Sequence, residues 1–274
     1  MLKNEKIKKI LKKNLKAAIQ NKAICFLPGN RLPTKTAQDT LMGKVQDTLK
    51  KHGRLYYFLI NLFTPVLLSK AYRKNRLALL EKYDEGKVIL NLGSGPTYID
   101  KRTDIINIDL FAFDEVDIVA DVTDLPIEDD SVDLIINTAL IEHVDEPQKV
   151  VEEMARVLRG GGEIFCYLPF IAPYHAAPHD FYRWTIPGIQ KLFAEFQSVE
   201  IKLGAGPTSG MLWVFQEWLA ILLSFGSQKL HDVIFMILMV LTAPIKLLDL
   251  LLEKFPCAEK IACGFYVIGK KKDS

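Results

Sequence analysis

The run VILNL ends at residue 92 and breaks into GSGP, residues 93–96. An apolar stretch bounded in this way by Gly and Pro reads as a buried strand that stops on a tight turn. Gly93 and Gly95 carry no Cβ, so the backbone can turn sharply there and come close to a bound molecule. The next apolar run closes on Asp109, 16 positions beyond Gly93. This is near the separation of about 20 at which an acid ending the neighbouring parallel strand meets ribose hydroxyls. Strand, glycine turn and strand-end acid point together to an open, doubly wound α/β sheet. A glycine turn with an unrelated surface aspartate is the plainer alternative.

The chain keeps that alternation. Runs at 88–92, 105–109, 116–120, 132–137, 163–168 and 198–203 read as strands, and 261–269 as the last one. In 147–158, Val150, Val151, Met154, Val157 and Leu158 fall at helical spacing and stop at Gly160, Gly161 and Gly162. Residues 186–196 give another helix. Only residues 97–104 separate the turn from the second strand, too few for a helix of normal length. Upstream, 1–20 reads as a helix with Ile7, Leu11, Leu15 and Ala18 on one face. Residues 21–53 carry little pattern, 55–68 is apolar, and 69–82 is a basic helix.

A dinucleotide site wants a third glycine and a helix N-terminus for the pyrophosphate. Tyr98 stands at that third position, and a cofactor without a pyrophosphate tolerates its loss. The segments NLGSGP (91–96), NIDL (107–110), ADVTDLPIEDDSVDLII (120–136), IEHVDEP (141–147) and EEMARVLRGGGEIFCYLPF (152–170) resemble, in order and spacing, the class I S-adenosylmethionine-dependent methyltransferases of the type 11 group. The resemblance covers roughly residues 88–203. It implies a Rossmann-like, doubly wound, seven-stranded α/β sheet with the last strand antiparallel and the first helices shortened. A helical extension (1–82) would precede the core (83–204), and an apolar helical insertion (205–260) would precede the last strand and basic tail (261–274).

The resemblance also implies S-adenosyl-L-methionine as cofactor and assigns residues to it. Gly93 and Gly95, with Asn91 and Ser94, would approach the methionine part, and Asp109 with Leu110 the ribose. Asp121 and Val122 would flank the adenine, and Asn137 and Thr138 sit where the fourth strand meets the cofactor. The family usually has an acid where this chain has Asn91. The near absence of the first helices resembles a compact subset often met among bacterial genes for surface glycans and lipids.

PFIAPYHAAPHDFYRWT, residues 169–185, follows the fifth strand. Ligands of open α/β sheets sit outside the carboxyl ends of strands, so this loop should lie over the site. His175 or His179 is the candidate base for an acceptor hydroxyl, since imidazoles ordinarily titrate near neutrality. Arg183 offers a planar fork to an anionic group such as a phosphate, with Tyr182 beside it. A stiff loop whose histidines cap backbone groups is the alternative. Prolines disfavour a metal set of His175, His179 and Asp180, and Cys25, Cys166, Cys257 and Cys263 form no C-x-x-C pair, so no metal is expected. Glu142 and His143 resemble a common family pair and are read as structural.

The insertion contains MLWVFQEWLAILLSF (211–225) and VIFMILMVLTAPIKLLDLLL (233–252). Its longest uncharged run, 233–245, is shorter than the roughly 18 residues that suggest a span. It therefore reads as helices lying in or on a membrane, with sheet packing or a homodimer core as alternatives. A net charge of +2 gives no global basic field, so no nucleic acid is expected. The charge is local: Lys3, Lys6, Lys8, Lys9, Lys12, Lys13 and Lys16 crowd one end, each adding about 1 kcal/mol near an anionic surface. Unpaired cysteines suit a reduced cytoplasm. The expected activity is methyl transfer to an oxygen of a lipid-linked, glycan or other hydrophobic acceptor, peripheral on the inner membrane face. A quinone or RNA methyltransferase, or a non-catalytic cofactor-binding membrane scaffold, are the rivals.

Overall fold

The computed structural model describes residues 3–13, 17–20, 22–27, 62–96, 99, 102–176 and 178–273. Strands β1 (Ala18–Gln20), β2 (Ala23–Cys25), β3 (Ile89–Leu92), β4 (Ile106–Asp109), β5 (Ile118–Val119), β6 (Val132–Thr138), β7 (Leu158–Pro169), β8 (Gln197–Ala205) and β9 (Gly264–Lys270) form one sheet. Their order is β1-β2-β5-β4-β3-β6-β7-β9-β8. Strands β2 to β7 pair parallel along it, and β9 runs antiparallel between β7 and β8. From β3 the chain winds to β4 and β5 on one side, then returns to β6 and β7 on the other. The crevice of a doubly wound sheet lies at that reversal, beyond the carboxyl ends of β3 and β6. The seven strands from β3 to β9 make the expected Rossmann-like sheet.

The N-terminal end differs from the sequence reading. The helix expected over 1–20 ends at Ile10: α1 is Lys3–Ile10, and residues 18–25 contribute the β1–β2 hairpin, which adds two strands beside β5. The physical reason is burial. Ile7 and Ile10 leave solvent for the main core, and Ala23 and Cys25 alternate inward from β2. Lys6 donates from Nζ to Lys87 O at 2.7 Å, and Lys3 pairs with Asp117 at 2.6 Å. Lys87 and Asp117 lie just before β3 and β5, so α1 crosses the amino ends of the parallel strands. Leu15 and the apolar residues 55–61 lie outside the described residues. Gly160, Gly161 and Gly162, read as a helix stop, belong to β7, where the register shifts opposite Val132 and Leu134.

Strand alternation divides the core. Leu90, Leu92, Ile108, Ile135, Ile164 and Val267 face α1, α3 (Pro147–Val157) and α4 (Ile186–Leu192). Ile89, Leu134, Ile136, Phe165, Tyr167 and Tyr266 face α2 (Lys70–Lys82), which covers the side where the first crossover helices are missing. Ser69 caps α2 by accepting from Tyr72 N, and its hydroxyl donates to Leu203 O at 2.7 Å, fixing the helix to β8. The Tyr72 ring meets Phe165, Tyr266 and Tyr167 edge-on at 5.0, 5.6 and 5.9 Å.

The insertion leaves β8 as α5 (Pro207–Leu223), turns, and returns as α6 (Gln228–Thr242). A 3₁₀ turn (Ala243–Leu248), α7 (Asp249–Leu252) and a second 3₁₀ turn (Pro256–Ile261) then lead to β9. The helical run Gln228–Leu252 is long and apolar enough to cross a membrane by length and composition. Its end is nevertheless anchored in protein. Buried Lys246 donates to Leu62 O and Thr64 O at 3.0 and 2.8 Å. Buried Asp249 accepts from Thr208 N, Ser209 N and Ser209 Oγ at 2.7, 2.9 and 2.6 Å, so it caps the first turn of α5. A Cβ on Gly206 would lie 2.3 Å from the Asp249 carboxyl carbon, which is why glycine precedes that helix.

Candidate functional site

The nucleotide half is built on the glycine turn. Gly93 adopts φ +67°, and a Cβ there would come within 2.9 Å of Leu140. Gly95 adopts φ +55°, and a Cβ there would meet no described residue within 4 Å. Asp109 ends β4 and reaches across to the turn. Its Oδ2 accepts from Gly95 N at 2.8 Å and its Oδ1 from Phe111 N at 2.9 Å. Burial raises its pKa above the usual carboxylate value, opposed by the N–H groups of Phe111, Gly95 and Leu110. The carboxylate keeps acceptor capacity for a ligand.

Asn137, near the end of β6, contacts Leu92 O through Nδ2 at 3.4 Å, while its buried Oδ1 has no partner among the described residues. An orphaned acceptor, a strand-end acid and the glycine turn fit a ligand bearing hydroxyls and an N–H donor. Asp121 is exposed, and its Oδ1 accepts from Thr123 N and Oγ1 at 2.9 and 2.7 Å. Val122 is buried and Leu110 half-buried beside these groups. Buried Ser94 donates to Gly95 O at 3.3 Å, and exposed Thr138 lies 3.4 Å from the Tyr72 hydroxyl. Asn91 sits apart: its Nδ2 donates to Asn107 Oδ1 at 3.0 Å, in a cross-strand amide pair inside the sheet.

The acceptor half begins where β6 ends. Ala139 takes φ +54°, a sharp turn for a residue with a Cβ. It leads into the 3₁₀ turn Ile141–His143. The loop after β7 is fastened onto that turn. Phe181 N donates to Glu142 O at 2.8 Å, Tyr182 OH to Asp145 O at 2.8 Å, and His143 Nδ1 lies 2.6 Å from His179 O. Arg183 spends all five donors inside the loop, on Ala172 O, Tyr182 O, Pro173 O and both oxygens of Asp180. It therefore tethers the loop and has no donor left for an anionic group. Burial works to raise the Asp180 pKa, but hydrogen bonds from Arg183 and His175 N and the nearby positive charges outweigh it, leaving the carboxyl at about 2.

The loop places the two candidate histidines differently. His179 is exposed, with its ring 5.6 Å from Phe181. His175 turns inward, its ring 5.3 Å from His143 and 5.2 Å from Trp213 of α5. His175 Nε2 and His143 Nε2 lie 3.9 and 3.8 Å from Glu142 Oε1. The Glu142 side chain is fully buried, and neither carboxyl oxygen has a partner among the described residues. Burial pushes its pKa up to about 8 and lowers that of His143. Glu142, read from the sequence as structural, is thus the central group of this half. Its one sequence signal is the neighbouring His143.

Residues 97–166 match a family model described as a methyltransferase domain. No curated protein matches the chain. Similar solved structures include Haemonchus contortus phosphoethanolamine N-methyltransferase 2 in complex with phosphomonomethylethanolamine and S-adenosylhomocysteine. That pair is 15% identical with a TM-score of 0.44, covering 73% of this chain and 53% of that one. The chain therefore spans about half the length of the Haemonchus enzyme. The [4+2]-cyclase SpnF is 15% identical with a TM-score of 0.44, covering 74% and 82%. A SAM-dependent methyltransferase of Thermotoga maritima is 14% identical with a TM-score of 0.47, covering 83% and 97%.

Proposed function

This chain carries a methyltransferase domain on a Rossmann-like sheet, and we propose that it methylates a hydroxyl of a hydrophobic, lipid-linked or glycan-type acceptor at a membrane surface, using S-adenosylmethionine. The observation that supports the acceptor class is the α5–α6 hairpin, which is polar within and apolar without. Between its helices, Gln216 Nε2 donates to Thr242 Oγ1 at 2.6 Å and His231 pairs with Glu217 at 3.1 Å. Its outer faces expose Trp218, Ile221, Leu222, Phe225, Ile237 and Leu241. A hairpin in water has the opposite arrangement, and contiguous exposed apolar surface marks a contact site. The hairpin also reaches the acceptor half, since Trp213 of α5 stands against His175. An acceptor held in an apolar layer would meet the site there.

When bound, the cofactor supplies an electrophilic methyl group on a sulfonium. Asp109 would hold the ribose hydroxyls through its remaining acceptor capacity, Asn137 Oδ1 would gain its missing donor, and Asp121 with Val122 would border the base. His175 Nε2 would take the hydroxyl proton as the acceptor oxygen gains the methyl group and the carbon–sulfur bond breaks. Alignment of the two reactants supplies most of the acceleration. Free thiols suit action on the cytoplasmic face of the membrane.

The test is transfer of label from methyl-labelled S-adenosylmethionine into fractionated membrane extracts. Label in lipid or lipid-linked glycan is expected. Label confined to RNA or to soluble small molecules overturns the acceptor class, and cofactor binding without turnover on any fraction leaves a scaffold.

A further inference from the structure

Glu142 presents a problem that the protein does not solve with its own described groups. Its carboxyl is fully buried and both oxygens lack partners. A buried acid left so is strongly unfavourable unless it is neutralised or paired. The groups that face it are the two imidazoles, and they stand at 3.8 and 3.9 Å, beyond hydrogen-bond distance.

The tautomers of those imidazoles follow from their other contacts. His143 Nδ1 lies 2.6 Å from His179 O, and His175 Nδ1 lies 2.8 Å from Pro173 O. A carbonyl oxygen only accepts, so each Nδ1 carries the proton. Arg183 has already committed its protons elsewhere, so its 3.2 Å approach to His175 Nδ1 does not compete. Each ring then turns its Nε2 toward Glu142, free to act as a donor atom when that nitrogen carries no proton. Imidazoles fixed by a backbone carbonyl at one nitrogen, with the other nitrogen converging on a carboxylate, are the arrangement of metal ligands and their supporting shell.

The spacing agrees. One donor atom from each of Glu142, His143 and His175 lies within 4.8 Å of the other two. Atoms bound to one ion at about 2.0–2.2 Å in a tetrahedral arrangement stand roughly 3.3–3.6 Å apart, so closure needs movements of roughly an ångström. The sequence reading, which expected no metal, weighed His175 with His179 and Asp180. The fold turns His179 outward and commits both Asp180 oxygens to Arg183 and His175 N, and it aims His175 Nε2 at Glu142 instead.

We propose that Glu142, His143 and His175 bind one divalent first-row transition-metal ion, with its open positions toward the acceptor. Two imidazoles and one carboxylate suit zinc, manganese, iron or cobalt rather than calcium or magnesium, which favour all-oxygen sites. The role of the ion rests on the methyltransferase reading: it would anchor the acceptor hydroxyl. Ligation replaces the base role given to His175 Nε2 above: the ion would acidify the bound hydroxyl, and its proton leaves to water while the oxygen–methyl bond forms and the sulfur–methyl bond breaks.

The experiment uses the full chain, stripped with a chelator and titrated with Co²⁺. Visible d–d bands that saturate at one ion per chain are expected. His175→Ala, at the half-open side of the cluster, and the isosteric Glu142→Gln should each weaken Co²⁺ binding by at least about 10-fold. His231→Ala, at the separate His231–Glu217 pair, should leave it unchanged. Calorimetry with S-adenosylhomocysteine on the same samples tests folding and the cofactor site together. Cofactor binding without Co²⁺ bands overturns the metal site alone, as does Co²⁺ affinity that is unaltered in His175→Ala. Co²⁺ binding without cofactor binding keeps the site and overturns the methyltransferase reading. If Glu142→Gln fails to fold, wild type and His175→Ala still decide the question.

Discussion

At the scale of single residues, Asp109 has two duties that a substitution would mix. It fastens Gly95 and Phe111 before any ligand arrives. Asp109→Ala should therefore lose cofactor affinity by about 100-fold or more, and also lose about 1–3 kcal/mol of stability from the two abandoned N–H groups. Calorimetry with S-adenosylhomocysteine and urea unfolding separate the two, and unchanged affinity would reject the ribose assignment. The histidines give a sharper contrast. His175→Ala should slow methyl transfer by about 10²–10⁴-fold, while His179→Ala, which keeps the backbone carbonyl that holds His143, should stay near wild type. Equal loss in both variants would mean the loop rearranges before reaction. The sequence points to these histidines lying near the candidate site because the loop follows a strand end. It could not rank them, since which ring turns inward depends on Arg183 and Asp180 closing the loop between them. Glu142 was harder still: an acid in an apolar turn looks structural until its two oxygens are found without partners among the described residues.

At the scale of elements, the parallel strands and α3 were legible within a few residues because burial on both faces, or at 3.6-residue spacing, writes itself into the chain. The N-terminal segment was not, because Ile7 and Leu11 have helical spacing that outlasts the helix, while the three-residue strands β1 and β2 are too short to show alternation. The capping of α5 was equally hidden. Pro207 signals a helix start, but the cap comes from Asp249, 42 positions later in the chain. Removing it strands the N–H groups of Thr208 and Ser209 in the interior. Asp249→Ala should cost about 2–4 kcal/mol by urea unfolding, and Asp249→Asn, which keeps an acceptor, less. A loss below about 0.5 kcal/mol would mean that solvent reaches this helix end and that the insertion is not anchored by it.

At the scale of the whole molecule, the two features that suggested a membrane from sequence separate in space. The lysine-rich α1 crosses the amino ends of the parallel strands, with Lys3 and Lys6 occupied by Asp117 and Lys87 O. The insertion starts instead at Ala205, the carboxyl end of β8, on the side of the site. A single flat surface touching the root of the hairpin therefore does not also meet α1, and the electrostatic contribution expected from those lysines should be small. Wild-type protein should sediment with anionic vesicles, and binding should change little as salt shortens the screening length from about 10 Å at 0.1 M to about 3 Å at 1 M. Lys8→Glu with Lys9→Glu, both exposed, should leave it intact. Ile237→Asp with Leu241→Asp should abolish it without unfolding the protein, because these side chains are 52% and 69% exposed. Vesicle binding that high salt or the lysine reversals remove would return the membrane contact to α1. Wild type that ignores vesicles but forms a dimer, which the Ile237 and Leu241 changes dissolve in sedimentation velocity, would make the apolar face a subunit interface and leave the acceptor a soluble one.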